Sequence, residues 1–286
     1  MGLGKQFKYI RARKNFTLEM AATGITTTNA LAAFEAGKKD MPLEKMQELL
    51  LRMGVSLRQF ANISDRLSQT SQDARTHIHE LYLARDTAKL ADLFSNPIPV
   101  AAGDEVLAFL DHMLIAGKYY DLTGKQLCTD EEVENLTTML LENLSWDEAE
   151  LDVLFWTLRL MNDNRVFMLS REVLNITESL RDWNFALYGA AWRSVLEGLA
   201  VLVERNSNFA STLMRQIDMV EPMAEVLIAN RSTYMFLKAI MVVQKEDTEG
   251  NRELVADVYR HILPLHSTEL EDNLRKINVR TLNLEL

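Results

Sequence analysis

Few side chains in this sequence stand at spacings that support covalent chemistry. His77 and His79 are two apart, which puts them on different faces of a helix and makes a poor metal pair. His112, His261 and His266 have no acidic or thiol partner at a recognisable spacing, and Cys128 follows Leu127 without a nucleophile signature. Ala102-Gly103-Asp104 is too slight for a phosphate loop. Catalysis, a metal and a cofactor are therefore not expected. The N-terminal region offers a different chemistry. Thr27, Thr28 and Asn29 can hydrogen-bond base edges, and Lys8, Arg11, Arg13, Lys38 and Lys39, with Lys5 and Lys14 in the same cluster, can meet phosphates.

Those residues need a scaffold, and the run from Gly24 to Gly37 reads as the turn and second helix of a helix-turn-helix. Gly24 suits the left-handed residue that ends a short helix, and one of Thr26, Thr27 or Thr28 can cap the next. Leu31 and Phe34 turn one face inward, and Gly37 stops the helix. Its N-terminal end is then free to enter a major groove. A first helix over 5–14 leaves Lys8, Arg11 and Arg13 to solvent, and Thr17 starts the second. Pro42 opens a fourth helix with the apolar stripe Leu43, Met46, Leu49, Leu50 and Met53, ended by Gly54. Ser56 and Gln59 form a capping box for a fifth over 57–62. Arg52 and Arg58 read as ordinary surface.

Charge separates this head from the remainder. Residues 1–64 hold ten Lys/Arg against five Asp/Glu in a chain of net charge −10, so residues 65–286 carry −15. A basic head on an acidic body fits a head that faces DNA and a body that DNA repels. One cysteine excludes an intrachain disulfide and suits a reducing cytoplasm. No apolar run reaches eighteen residues and the start has no apolar signal region, so no membrane span is expected.

Beyond a linker at 65–72, the chain shows almost no strand-like alternation. It yields amphipathic helices near 72–84 with 86–95, 104–119 with 130–143, and 147–161 with 165–182, then 186–205, 208–219, 222–244, 252–262 and 268–277. Thr129-x-x-Glu132 and Ser145-x-x-Glu148 are capping boxes. Pairs recur at roughly 35–45 residues, the spacing of helical hairpins that stack into a solenoid. The expected fold is all-α: a five-helix helix-turn-helix domain over 1–64 and a tetratricopeptide-like α-solenoid over 73–286.

The sequence resembles the Rgg/GadR/MutR family of transcriptional regulators of low-GC Gram-positive bacteria. The resemblance is carried by Gly4-x-x-x-Lys8-x-Ile10-Arg11, Gly24-Ile25, Leu31-x-x-Phe34-Glu35-x-Gly37-Lys38, and Leu49-Leu50 followed by Phe60. Over the body it rests on length and helical-repeat character. It departs where family members place Arg before the Phe-Glu pair and polar residues nearby: here stand Ala33, Ala32 and Ala30, and the second helix begins Thr17-Leu18. The resemblance implies a cytoplasmic homodimer on double-stranded DNA whose repeat domain binds a short hydrophobic signalling peptide.

Such a peptide needs amide side chains for its backbone and a cation for its carboxylate. Arg159 and Asn162, beside Phe155 and Trp156, are candidates, with Arg193, Asn230, Tyr234 and Lys238. Methionines 161, 168, 214, 219, 223, 235 and 241 suit adaptable apolar packing, mostly in the core. The leucine-bearing segment 263–286 is expected to help pair the protomers. The competing reading is a helical-repeat scaffold for a protein partner, with a head of weak DNA specificity.

Overall fold

The computed structural model describes residues 2–57, 59–61, 71–97, 105–142 and 146–285, and the side chains of 71–73 and Trp183 are not described. Arg58, most of the 65–72 linker, Ala102-Gly103-Asp104 and the Ser145 capping position lie outside these residues. The described residues form α-helices and short 3-10 turns, with no strand among them. They divide into two compact units, Met1–Glu80 and Leu81–Leu286.

In the first unit, α1 (Leu3–Arg13), α2 (Leu18–Ala22), α3 (Thr28–Glu35) and α4 (Leu43–Arg52) enclose Phe7, Ile10, Leu31, Phe34, Leu49 and Leu50. Caps set the boundaries. Thr17 accepts the Met20 amide and Thr27 accepts the Ala30 amide, while Gly24, Gly37 and Gly54 take the left-handed backbone after their helices. Pro42 stands one residue earlier than expected, as the N-cap of α4. The Ser56 and Gln59 box is formed in both directions. Helices α1 and α3 touch backbone to backbone: a Cβ at Gly4 would lie 1.8 Å from the Phe34 carbonyl oxygen.

The second unit begins in α5 (Ser71–Leu83) and continues through α6 (Thr87–Ser95), α7 (Glu105–Thr123), α8 (Asp130–Glu142) and α9 (Glu148–Thr157). After them come α10 (Asp163–Trp183), α11 (Phe185–Glu204), α12 (Asn208–Met219), α13 (Ile228–Lys245), α14 (Glu249–Ile262) and α15 (Thr268–Thr281). Helix α11 is buried nearly all round, with α9, α10, α12, α13 and α15 against it. Arg193 and Glu197 interrupt its apolar run, and although it is long and apolar enough overall to cross a membrane, 78% of that window is buried in the protein's own core.

The pairing differs from the expected hairpins. Helix α7 packs chiefly on α6 and α9 rather than α8, and α10 lies along α11 rather than α9. Two glycines show why. A Cβ at Gly117 would stand 2.4 Å from the Trp156 carbonyl oxygen, and one at Gly198 would stand 1.9 Å from Ser170 Oγ. Small residues at the crossings let these helices approach most closely, a choice invisible to periodicity.

Two boundaries also moved. Helix α13 starts at Ile228 rather than at 222, and in the segment before it the buried Tyr188 hydroxyl accepts from the Ala224 amide at 3.1 Å. Asp147 and Glu150 form the capping box of α9, two residues beyond the expected Ser145. Thr129 and Glu132 pair as the sequence suggested.

Gly117→Ala is the direct test of the α7–α9 crossing. Forcing the helices apart should cost about 1–3 kcal/mol, read as a lower denaturant midpoint. An unchanged midpoint would remove the crossing from this account.

Candidate functional site

In the head, the first turn of α3 presents Thr27, Thr28 and Asn29 to solvent, with Ala32 and Ala33 half-buried behind them. Thr27 spends its oxygen on the cap, leaving Thr28 and Asn29 as the polar groups at the tip. Lys8, Lys38 and Lys39 are exposed. Arg13 is exposed too, but it is held over the Tyr9 ring and donates to Tyr9 Oη at 2.7 Å.

Arg11 is not left to solvent as its position suggested. Its Nε and Nη2 grip both oxygens of Glu35 at 2.5 and 2.8 Å, and Nη1 donates to the Phe16 carbonyl at 2.6 Å. Glu35 is buried, so this bidentate pair ties α1 to the end of α3. The pairing raises the Arg11 pKa, its hydrogen bonds to Glu35 being the largest cause. Arg52, read as ordinary surface, donates to the carbonyls of Ala21 and Thr23 and so closes the end of α2.

In the body, an ionic seam gathers where α7, α9, α11 and α15 converge. Asp121, its side chain 10% exposed, accepts from Tyr82 Oη at 2.7 Å, Lys276 Nζ at 2.9 Å and Arg280 Nη2 at 3.0 Å. Burial alone would push its pKa up, but the three donors outweigh it and hold the carboxyl down to about 2. Arg159 pairs with Glu204 and, at 2.8 Å, with Glu197, whose own pKa burial raises. Lys118 is buried with its ammonium 3.9 Å from the Trp156 ring centre and 4.9 Å from that of Tyr82, and burial lowers its pKa to about 8.

A cleft of about 290 Å³ opens onto this seam, lined by Tyr120, Asp121, Gly124, Arg159, Glu204 and Arg280. Arg280 is 30% exposed, and its bond to Asp121 is the one hydrogen bond it makes among the described residues. The rest of its guanidinium can take a second carboxylate.

Each of the residues singled out for peptide contact has an intramolecular partner. Arg159 is committed as above. Asn162 caps α10 through the Arg165 amide, and Arg193 pairs with Asp152 at 2.9 Å over the Phe155 ring. The Asn230 amide reaches the Gly189 carbonyl at 3.5 Å, and Tyr234 and Lys238 share Asp218. Of these, the cleft contains only Arg159, and Arg280 was missed because nothing in the sequence signals its neighbour Asp121. His112, read as lacking an acidic partner, meets Glu132 at 3.0 Å and stacks on Phe94. Burial raises the Cys128 thiol to about 11, so it is a poor nucleophile at neutral pH.

Two consequences can be measured. Arg159→Ala strands two carboxylates and should cost about 3–5 kcal/mol, whereas the half-exposed Arg193→Ala should cost less than about 1 kcal/mol. Equal denaturation midpoints would contradict this assignment. The folded pKa of Asp121 lies below the ordinary aspartate value of 3.8, so its stabilisation is present above that value and fades as pH falls toward about 2. Asp121→Asn should flatten this limb of the stability profile, and an unaltered limb would show that the seam is not formed.

No protein-family model matches the sequence, and no curated protein matches it either. Solved structures do. The SHP pheromone receptor Rgg2 of Streptococcus dysgalactiae aligns with a TM-score of 0.75 over 96% of this chain and 97% of its own, at 14% identity. A candidate transcriptional regulator from Listeria monocytogenes EGD-e gives 0.72 over 99% of both chains, at 18% identity. PrgX in its complex with iCF10 gives 0.64 over 97% of this chain and 95% of its own, at 12% identity. The chain therefore has the fold of these proteins along nearly its whole length: a helix-turn-helix head followed by a helical-repeat body.

Proposed function

We propose that the protein is a cytoplasmic transcriptional regulator, acting as a homodimer, whose head binds duplex DNA and whose body binds a short apolar peptide. The observation that carries the first half is the open end of α3, where Thr28 and Asn29 stand exposed on a head of net charge +5 (ten bases against five acids) with Lys8, Lys38 and Lys39 free for phosphates. The alanines along α3 give bases no hydrogen bonds. Sequence preference then rests on Thr28, Asn29 and the shape of the duplex.

The second half is supported by the solved structures of the same fold, which include a pheromone receptor and a peptide pheromone–receptor complex with its mechanism of gene regulation. In this chain the cleft at Arg280 has the required chemistry. Arg280, with donors beyond its bond to Asp121, lines a cleft with Tyr120, Gly124, Arg159 and Glu204 and can take a peptide carboxylate. That role passes from Arg159, which is occupied, to Arg280.

Fluorescence anisotropy on duplex DNA across a salt series tests the DNA half. Replacing Lys8, Lys38 and Lys39 with Ala should weaken all sequences alike and lower the slope of log K against log salt by about 0.9 for each lost phosphate contact. No binding by the full chain at low salt, or an unchanged slope, would overturn the reading.

A further inference from the structure

Helix α2 is too short to hold its own shape. Leu18–Ala22 is little more than one turn, and its buried side chains are those of Ala21 and Ala22. A helix end leaves carbonyls without intrahelical partners, and here they are met one by one. The Glu19 carbonyl accepts from the Thr23 amide at 3.0 Å and from the Thr23 hydroxyl at 2.7 Å. The Ala22 carbonyl accepts from the amides of Ile25 and Thr26 at 3.0 and 2.9 Å. The carbonyls of Ala21 and Thr23 are met by a single nitrogen, Arg52 Nη1, which donates to Ala21 at 3.1 Å and also to Thr23.

Arg52 is the last residue of α4, so this contact joins residues 31 positions apart. Its guanidinium also lies beside Gly24, with Nη2 3.9 Å from where a Cβ would stand. A cation there meets the negative end of the α2 backbone dipole as well as the carbonyls themselves. What it holds is the turn Thr23-Gly24-Ile25-Thr26, which delivers Thr27, Thr28 and Asn29 to the open end of α3. The helix that does the holding begins soon after Lys38 and Lys39, the lysines proposed for phosphates. Base edges and phosphates make different demands. A hydrogen bond to a base edge is lost once its distance or angle drifts, whereas a lysine on its flexible stem follows a phosphate.

We infer that Arg52 is a positioning residue for base readout: by clamping the turn between α2 and α3, it sets where Thr28 and Asn29 enter the groove without touching DNA itself. The inference rests on the DNA half of the proposed function and adds a division of labour to it. Lys8, Lys38 and Lys39 supply affinity for any duplex, and Arg52 supplies discrimination through the tip that it places. Arg11 holds the entry to α2 in a similar way through the Phe16 carbonyl, but it is bound to buried Glu35. Arg52 is exposed, so its removal strands no buried charge and isolates the effect of the turn.

The test compares the full chain with Arg52→Met on two duplexes, one enriched from a random pool by the unaltered protein and one of the same composition with its sequence scrambled. Anisotropy should show the preference for the enriched duplex falling about tenfold, while affinity for the scrambled duplex and its salt slope stay as they were. Arg52→Lys keeps the charge and can reach one of the carbonyls, so its preference should lie between the two. Hydrogen exchange gives a second reading that needs no DNA. The Ile25 and Thr26 amides should exchange about tenfold faster in Arg52→Met, and those of Gly37 and Lys38 at the far end of α3 should not. An undiminished preference would overturn the inference, as would unchanged exchange at Ile25 and Thr26. Equal weakening on both duplexes with a slope lowered by about 0.9 would make Arg52 a phosphate contact and overturn it too. If the unaltered chain bound no DNA, the proposed function would fall, and the exchange result would still judge the clamp.

Discussion

One buried carboxylate constrains the body. A charge as enclosed as that of Asp121 persists only if donors satisfy it, and its three donors come from two helices: Tyr82 from α5, and Lys276 and Arg280 from α15. Residues nearly two hundred positions apart thus meet on one oxygen, which Tyr82 and Lys276 share while lying 3.3 Å from each other. The C-terminal helix is held to the start of the repeat unit by this contact as well as by its leucines. Beside it, Arg159 pairs with two acids of α11, so a mostly buried central helix can carry Glu197 and Glu204.

This arrangement gives the cleft its character. Residues 65–286 carry a net charge of −15, and a surface of that sign repels an anionic ligand. Within the seam, however, four cations, Arg159, Lys118, Lys276 and Arg280, stand against three acids, Asp121, Glu197 and Glu204. The cleft is consequently a local exception to the acidity around it. A carboxylate that reached Arg280 would meet the guanidinium donors that Asp121 does not use.

Much of this was legible in the sequence, and what was not has physical causes. Caps and left-handed glycines fixed the head nearly to the residue because a cap is a local device: Thr17, Thr27, Gly24 and Gly37 act within one turn. The role of Arg11 was also readable in principle. It stands four residues after Phe7, on the inward side of α1, and Glu35 shares the inward face of Leu31, so each buried charge called for the other. Glu197 and Glu204, seven apart on a largely apolar helix, likewise required a cation, which Arg159 supplies. By contrast, the crossings at Gly117 and Gly198 and the meeting of Asp121 with Arg280 depend on which helices lie together. No local pattern encodes that.

On the proposed function, Arg280, whose one hydrogen bond among the described residues goes to Asp121, reads a ligand carboxylate in the cleft. Calorimetry of the full chain with short Leu- and Ile-rich peptides, each as free acid and as C-terminal amide, addresses it most directly. The free acids should bind roughly ten- to hundredfold more tightly, the worth of one charge-assisted contact, and Arg280→Ala should erase that difference while leaving the amides nearly unaffected. Acid and amide forms of equal affinity, or a preference for the acid that survives in Arg280→Ala, would contradict the account.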